Sequence, residues 1–240
     1  MSQTLFVSDL HLDQKRPHII AAFCRFLNEC SSADALYILG DLFEYWIGDD
    51  DPAIGLEPAI RAIRKLSDSG VPVYFIHGNR DFLIGKQFAK RTQAKILKDE
   101  TVIDLYGTPT LVMHGDTLCT DDIAYQKYRA KARNPFIQKP LLMLSVKRRL
   151  KIAEGLRNKS KSATHEKTEE IMDVNQKAVE QVMSKHNINL LIHGHTHRPA
   201  EHEFNLNGNS YKRIVLGDWY EHGSVLRCTP DSITLETINT

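Results

Sequence analysis

Five short stretches carry side chains suited to divalent metal ions: Asp9-Leu10-His11, Gly40-Asp41, Gly78-Asn79, His114-Gly115 and Gly194-His195-Thr196-His197. Carboxylate, imidazole and amide oxygen together suit Mn, Fe or Zn rather than calcium. One residue separates Asp9 from His11, and one separates His195 from His197. On an extended loop, both members of each pair can therefore sit near a pair of ions. Two divalent ions bring more positive charge than Asp9 and Asp41 cancel, and the excess attracts a phosphate. Two ions about 4 Å apart can activate a water for in-line attack at phosphorus and stabilise the charge that develops. A lone Asp-x-His or Gly-Asp marks only a turn or a cap. Five such loops in the same local setting point to a metal centre.

That setting is the end of an apolar run. Residues 5–7, 35–39, 73–76, 110–113 and 190–192 read as buried strands, each leading directly into donor residues. Helix-like stretches at 17–30, 56–69 and 82–91 lie between them, so the spacing predicts an α/β fold. In such folds ligands bind beyond the carboxyl ends of the strands, where loops distant in sequence converge. After residue 200 the texture changes. Asn207-Gly208 between 203–206 and 211–216 is a hairpin signal, and 225–228 and 232–237 read as further strands, which predicts an antiparallel C-terminal part. Asp49-Asp50-Asp51 reads as a solvated loop at a helix start. His18, His165, His186, His202 and His222 lack a ligand-like setting, and Trp46 and Trp219 read as packing residues.

The chain of 240 residues is 42% hydrophobic and 25% charged, with a net charge of +1, so whole-molecule charge favours no class of partner. Cys24, Cys30, Cys119 and Cys228 form no CxxC pair and read as thiols of a reducing compartment. The first residues run into Leu5-Phe6-Val7 without a basic region and a long apolar stretch. No run approaches the roughly 20 apolar residues of a membrane span. A cytoplasmic location is expected, with any membrane met from its surface. One segment stands apart: residues 131–167 hold eleven Lys/Arg against Glu154 and Glu166, with Leu141-Leu142-Met143-Leu144 among them. It reads as one or two helices interrupting the α/β pattern, with no clean separation of apolar and basic faces.

Taken in order, Asp-x-His, Gly-Asp, Gly-Asn, His and Gly-His-x-His resemble the calcineurin-like metallophosphoesterases, over a span from Asp9 to His197. The resemblance implies a two-sheet α/β sandwich flanked by helices. It implies one ion held by Asp9, His11, Asp41 and His197, and a second held by Asp41, Asn79, His114 and His195, with Asp41 as the bridge. Many family members carry His after Gly-Asn, where it protonates the leaving group; here the residue is Arg80. Arginine is no general acid near neutral pH, but it grips phosphate through two parallel hydrogen bonds. An alkoxide leaving group suffers from that exchange and a phosphate leaving group does not, so the expected scissile bond is a pyrophosphate. The alternative is that Arg80 only pairs with a neighbouring Asp.

Longer motifs narrow the resemblance: Gly40-Asp41-Leu42-Phe43-Glu44, His77-Gly78-Asn79-Arg80-Asp81-Phe82, residues 114–122 and Ile171-Met172-Asp173-Val174-Asn175. They look like one subfamily, which hydrolyses the pyrophosphate of a UDP-linked diacylglucosamine in lipid A biosynthesis with two Mn2+ ions per chain. By position, Asn79, Arg80, Asp122, Ser160, Lys167 and His195 would touch substrate, and Thr164 stands where relatives have Asn. Asp122 alone could equally cap a following helix. The resemblance gives the basic segment a role as a helical lid over residues 123–168 of a single 1–240 domain. Leu141, Leu142, Met143, Leu144, Val146, Leu150 and Ile152 would wall an acyl groove. Lys147, Arg148, Arg149 and Lys151 would meet anionic headgroups at the cytoplasmic face of the inner membrane. Rival readings are the same fold acting on dinucleoside polyphosphates, phosphoproteins or nucleic acid, or a non-catalytic scaffold. A scaffold is free to lose ligands, and none is missing here. No nucleic-acid partner is expected, because Phe136 is the only aromatic residue in the basic segment and stacking needs several.

Overall fold

A computed structural model of the chain describes residues 2–165 and 173–240, leaving aside the side chains of 159–165. One sheet is built around three parallel strands, β1 (Thr4–Val7), β2 (Ala35–Ile38) and β3 (Val73–Phe75). It is extended by β4 (Lys95–Ile96) and by the antiparallel pair β10 (His222–Cys228) and β11 (Ile233–Asn239), in the order β11-β10-β1-β2-β3-β4. The second sheet comprises β5 (Thr101–Leu105), β6 (Thr108–Val112), β7 (Leu190–His193), β8 (Ala200–Leu206) and β9 (Asn209–Val215), in the order β5-β6-β7-β9-β8.

Side-chain alternation along the strands assigns each face. Leu5 and Val7 point with Leu36, Ile38, Val73 and Phe75 into a core shared with α1 (Pro17–Glu29), α2 (Glu57–Asp68) and α3 (Lys86–Thr92). Phe6 and Tyr37 point the other way and meet Val112, Ile192 and Ile214 of the second sheet. The outer face of that sheet, Leu111 and Leu191, is covered by Val179 and Met183 of α7 (Gln176–His186). The result is the expected helix–sheet–sheet–helix sandwich. Between β6 and β7 the chain also forms α4 (Ile123–Ala132), followed by α5 (Pro135–Leu142) and α6 (Val146–His165), the two helices of the basic segment.

The strands that lead into donor residues lie where the sequence placed them, within one or two residues. Four local readings need correction. The helix expected from residue 82 starts at Lys86, because Asp49 accepts hydrogen bonds from the backbone N–H of Gly85, Gln87 and Phe88 and so caps α3 from a distant loop. The Asp49-Asp50-Asp51 run is therefore no simple solvated loop, and Asp50 pairs with Arg149. The hairpin at Asn207-Gly208 forms, with both residues at positive φ (52° and 81°). The C-terminal part is not wholly antiparallel, since β9 pairs with β7 in parallel. Finally, β4 and β5 were not foreseen: β4 is two residues long, and β5 is half exposed and lacks a continuous apolar run.

Trp219 is a packing residue, as expected, and it also reaches the site. It is fully buried, with edge contacts to Phe23 and Phe26 at ring-centroid distances of 5.9 and 5.8 Å. Its backbone N–H donates to the carbonyl of Asp9 at 3.2 Å. Trp219→Ala is expected to cost about 3–5 kcal/mol of stability through lost burial and a residual cavity. Urea denaturation checks this, and a loss below about 1 kcal/mol would contradict it.

Candidate metal centre and its cavity

The loops that follow β1, β2, β3, β6 and β7 meet at one end of the sandwich. Backbone hydrogen bonds continue the strand pairing into them: Asp9 N–H to Gly40 O, His11 N–H to Asp41 O, and Gly194 N–H to His114 O. Asp9, His11, Asp41, His195 and His197 all have positive φ, between 47° and 73°. Left-handed backbone at non-glycine residues costs of order 1–3 kcal/mol each and collects at functional sites. Gly78 and Gly194 are required for close approach, since a Cβ on Gly78 would overlap Asp41 and one on Gly194 would overlap Ser8 and Asp9. Asp81 is fully buried and ties two of the loops, accepting from Gly78 N–H and Leu42 N–H at 2.8 Å each.

All seven expected ligands converge. His11 Nε2 and His197 Nε2 lie 3.3 Å apart, with Asp9 Oδ1 at 4.0 Å from the former and 3.3 Å from the latter. On the other side, Asn79 Oδ1 lies 2.9 Å from His114 Nε2 and 3.0 Å from His195 Nδ1, and those two nitrogens are 3.2 Å apart. Asp41 lies between, with Oδ2 3.8 Å from His11 Nε2 and Oδ1 3.8 Å from His114 Nε2. By distance Asp9 belongs to both groups. Its Oδ2, however, accepts from Ser8 Oγ–H and His195 N–H, while Oδ1 has no hydrogen-bond partner among the described residues.

These residues fit divalent ions. Behind two of the imidazoles stands an acceptor for the remote nitrogen, Leu39 O for His114 Nδ1 at 2.8 Å and Asp218 Oδ2 for His197 Nδ1 at 3.0 Å, while Glu44 Oε2 faces His11 Nδ1 at 3.4 Å without a hydrogen bond. A proton held there leaves the inward nitrogen with a free lone pair, the arrangement usual behind metal-bound histidine. Against burial, Asp9 and Asp218 hold the His197 imidazole up to about 10, and Asp41 and Asp9 hold His114 up from its ordinary value, so a cation taking the inward nitrogens would displace protons from these two rings. Burial, followed by the charge of His114, holds the His195 imidazole down to about 4, so it is neutral near pH 7. Burial pushes the Asp41 carboxyl up from its ordinary range, as expected for a carboxylate that has lost its water.

A cavity of about 650 Å³ opens above this cluster. Its floor includes His11, Asp41, Asn79 and His195, and its wall includes Arg80. Arg80 is pinned by its backbone, N–H to Asp41 Oδ1 at 2.8 Å and O from Trp46 N–H at 3.1 Å. Its Nε is buried without a hydrogen-bond partner among the described residues. The neighbouring Asp81 is fully engaged by backbone N–H groups, so it does not pair with Arg80. Asp122 reaches the cavity and also caps α4 through Tyr125 N–H. Ser160 and Thr164 lie on α6 where side chains are not described, and Lys167 lies outside the described residues.

The helical segment needs two corrections. Of the seven apolar residues expected to wall a groove, Leu141 and Ile152 line the cavity; they are joined by Leu156, Trp46, Ile47 and Phe82. Met143 points outward, 87% exposed. Arg149 is not available to a headgroup: it is 2% exposed, donates to Ile47 O and Leu144 O, and pairs with Asp50. Sequence reading quoted Glu44 in a motif without assigning it a role, and here it lies between His11 and Arg157 of α6; it missed Asp218, which stands behind His197. For Asp218 a signal existed, because Gly217-Asp218 follows the apolar end of β9 just as Gly40-Asp41 follows β2.

Residues 2–199 match the calcineurin-like phosphoesterase family, and the chain belongs to it. Within that class it is 55% identical over 234 residues, 97% of each chain, to UDP-2,3-diacylglucosamine hydrolase of Salmonella typhi. It is 52% identical over 233 residues, again 97% of each chain, to the protein of that name from Serratia proteamaculans (strain 568). In fold it is similar to an archaeal phosphodiesterase, with a TM-score of 0.51 and 11% identity over 99% of each chain.

Proposed function

We propose that this protein hydrolyses the pyrophosphate bond of UDP-2,3-diacylglucosamine, giving UMP and 2,3-diacylglucosamine 1-phosphate (lipid X) for lipid A biosynthesis. The observation that carries the reading is a single cavity with metal donors on its floor, an arginine on its wall whose buried Nε has no hydrogen-bond partner among the described residues, and apolar side chains above. The length and level of identity to the named hydrolases support the same substrate.

Asp9, His11, Asp41 and His197 would hold one Mn2+ ion, and Asp41, Asn79, His114 and His195 would hold the other. Such a pair would supply a water of lowered pKa and positive charge opposite the phosphoryl oxygens. Leu39 O and Asp218 orient the His114 and His197 rings, so these donors are in place before substrate arrives. Arg80 holds the pyrophosphate by a two-pronged grip and steadies the departing sugar phosphate, which leaves without needing a proton. Asn79 and His195 contact the phosphate under attack, on the nucleoside side. Asp122, Ser160, Thr164 and Lys167 complete the substrate contacts.

Residues 123–168 act as a lid within one catalytic domain. Leu141, Ile152 and Leu156 cover the acyl chains. The outer surface of α5 and α6 carries Phe136 and Met143, 84% and 87% exposed, beside exposed Lys139, Lys147, Arg148 and Lys151. Each such cation adds about 1 kcal/mol near an anionic membrane surface. This suits a peripheral position on the cytoplasmic face of the inner membrane. Among the described residues no helix is long and apolar enough to cross a membrane.

Replacing Leu141, Ile152 and Leu156 together by Ala is expected to lower kcat/KM for the acylated substrate by about 10²-fold or more, given about 1.5–3 kcal/mol per buried aliphatic side chain. Turnover of a water-soluble phosphodiester should change little, and equal losses on both would count against the lid. For the function itself, purified protein is incubated with UDP-2,3-diacylglucosamine in detergent micelles, with Mn2+ or with chelator. Mn-dependent UMP release is expected. No UMP alongside good activity on a simple monoester would sink the lipid reading.

A further inference from the structure

The helix α4 does more than begin the covering segment. One face of it, with the residue that ends it, grips two of the ligand loops from behind. Tyr125 Oη–H and Arg129 Nε–H donate to Asp116 Oδ2 at 2.7 and 2.6 Å, two residues beyond His114. Gln126 donates to Asp116 O and Cys119 O at 2.8 and 3.0 Å. Arg129 Nη2–H donates to Asp99 Oδ2 at 2.5 Å, and Arg133 Nη1–H donates to the other oxygen of that carboxylate at 3.2 Å. Arg133 Nη2–H then donates to His77 O at 3.3 Å and Gly78 O at 3.0 Å, the two carbonyls directly before Asn79.

The chain of contacts runs from the His114 loop through Arg129, Asp99 and Arg133 to the Asn79 loop. These hydrogen bonds do not involve Asp9, His11 or His197, whose neighbours are Ser8, Glu44 and Asp218. The links are charge-assisted, which makes them about twice as strong as neutral hydrogen bonds. They are also partly withdrawn from water: the side chains of Asp116, Arg129 and Arg133 are 3%, 16% and 18% exposed. The geometry they hold is tight. A rotation of the 78–79 peptide would carry Asn79 Oδ1 away from the 2.9 and 3.0 Å it keeps to His114 and His195.

We propose that α4 is a positioning clamp for the Asn79–His114 half of the metal centre, acting through Arg129 and Arg133 joined at Asp99. The proposal rests on the two-ion reading of the site. Arg129 and Arg133 touch neither ion nor substrate; they set where the ligands stand. Loss of the clamp therefore weakens one ion and spares the other.

The test is calorimetric titration of the metal-stripped full-length protein with Mn2+, paired with EPR of the loaded protein. Wild type is expected to take up two ions, which share a bridging carboxylate and give a spin-coupled spectrum. Arg133→Met and Arg129→Met should bind the first ion as wild type does and the second about 10–100-fold more weakly, the usual cost of losing a group behind a metal ligand. At one fixed Mn2+ concentration the coupled signal should give way to that of an isolated ion. Lys131→Met, on an exposed position of the same helix, should change neither. Unchanged binding of both ions in a folded arginine variant would overturn the clamp, as would equal weakening of both. If an arginine variant does not fold, Asp99→Asn decides, because that side chain is 42% exposed, Arg129 keeps its pairing with Asp116 and Arg133 keeps the carbonyls of His77 and Gly78. The same selective loss supports the clamp, and two normal ions refute it. A wild type that takes up fewer than two ions would refute the metal reading itself, and the clamp with it.

Discussion

Asp41→Asn is expected to lower kcat by about 10³-fold or more while leaving the fold intact or more stable. Asp41 lies 3.8 Å from an inward nitrogen of each histidine group, with one carboxylate oxygen turned to each. Removing its charge removes several kcal/mol of transition-state stabilisation, and about 4 kcal/mol corresponds to about 10³ in rate. Asparagine is nearly isosteric and tolerates the positive φ of 52° at this position. Its amide oxygen can still accept the Arg80 N–H now held at 2.8 Å. The sign of the stability effect follows from burial. A carboxyl whose folded pKa is raised helps the fold while protonated, below its unfolded value near 3.8, and that help is lost as pH rises through the folded value. At neutral pH without metal, the buried Asp41 charge opposes folding, and the amide removes that opposition. Thermal melts of metal-stripped protein and a turnover assay at saturating Mn2+ check both halves. A variant with wild-type turnover would contradict the bridging role.

Arg80 carries the second large effect. Arg80→Met is expected to lower kcat/KM for the pyrophosphate substrate by about 10²–10³-fold, the range for removing one preorganised donor to developing charge. Arg80→Lys should recover only part, because an ammonium offers a point charge where the guanidinium offers a planar fork. The more informative variant is Arg80→His. A histidine there can protonate a leaving alkoxide, so turnover of a nucleoside 2′,3′-cyclic phosphate should rise while pyrophosphate turnover falls. If Arg80→Met keeps full activity, or Arg80→His fails to shift this preference, the leaving-group argument is wrong. The structure favours the argument, since Asp81 is occupied by Gly78 and Leu42 and leaves the Arg80 side chain facing the cavity.

Much of this site was legible in sequence because strand and ligand are adjacent there. A buried parallel strand is a short apolar run, and the loop at its end carries the donors, so Asp9, Asp41, Asn79, His114 and His195 each announce themselves locally. The supporting residues do not. Asp49 caps a helix that begins 37 residues later, and Arg149 locks to Ile47 and Asp50 across about 100 residues. Neither spacing corresponds to a helical or strand period. The basic cluster at 147–151 looked uniformly solvent-facing because sequence gives charge without direction, and one of its arginines is among the most buried polar side chains. The short β4 and the half-exposed β5 carry too little apolar periodicity to stand out. The Arg129–Asp99–Arg133 junction left one faint trace, since Tyr125, Arg129 and Arg133 recur at the helical spacing of four.

Cleavage of UDP-2,3-diacylglucosamine in 18O-labelled water, read by 31P NMR and mass spectrometry of both products, tests the central claim most directly. Attack by water on the nucleoside-side phosphorus predicts one 18O in the phosphate of UMP and none in the lipid 1-phosphate. Label in the lipid phosphate, or release of UDP in place of UMP, would contradict it.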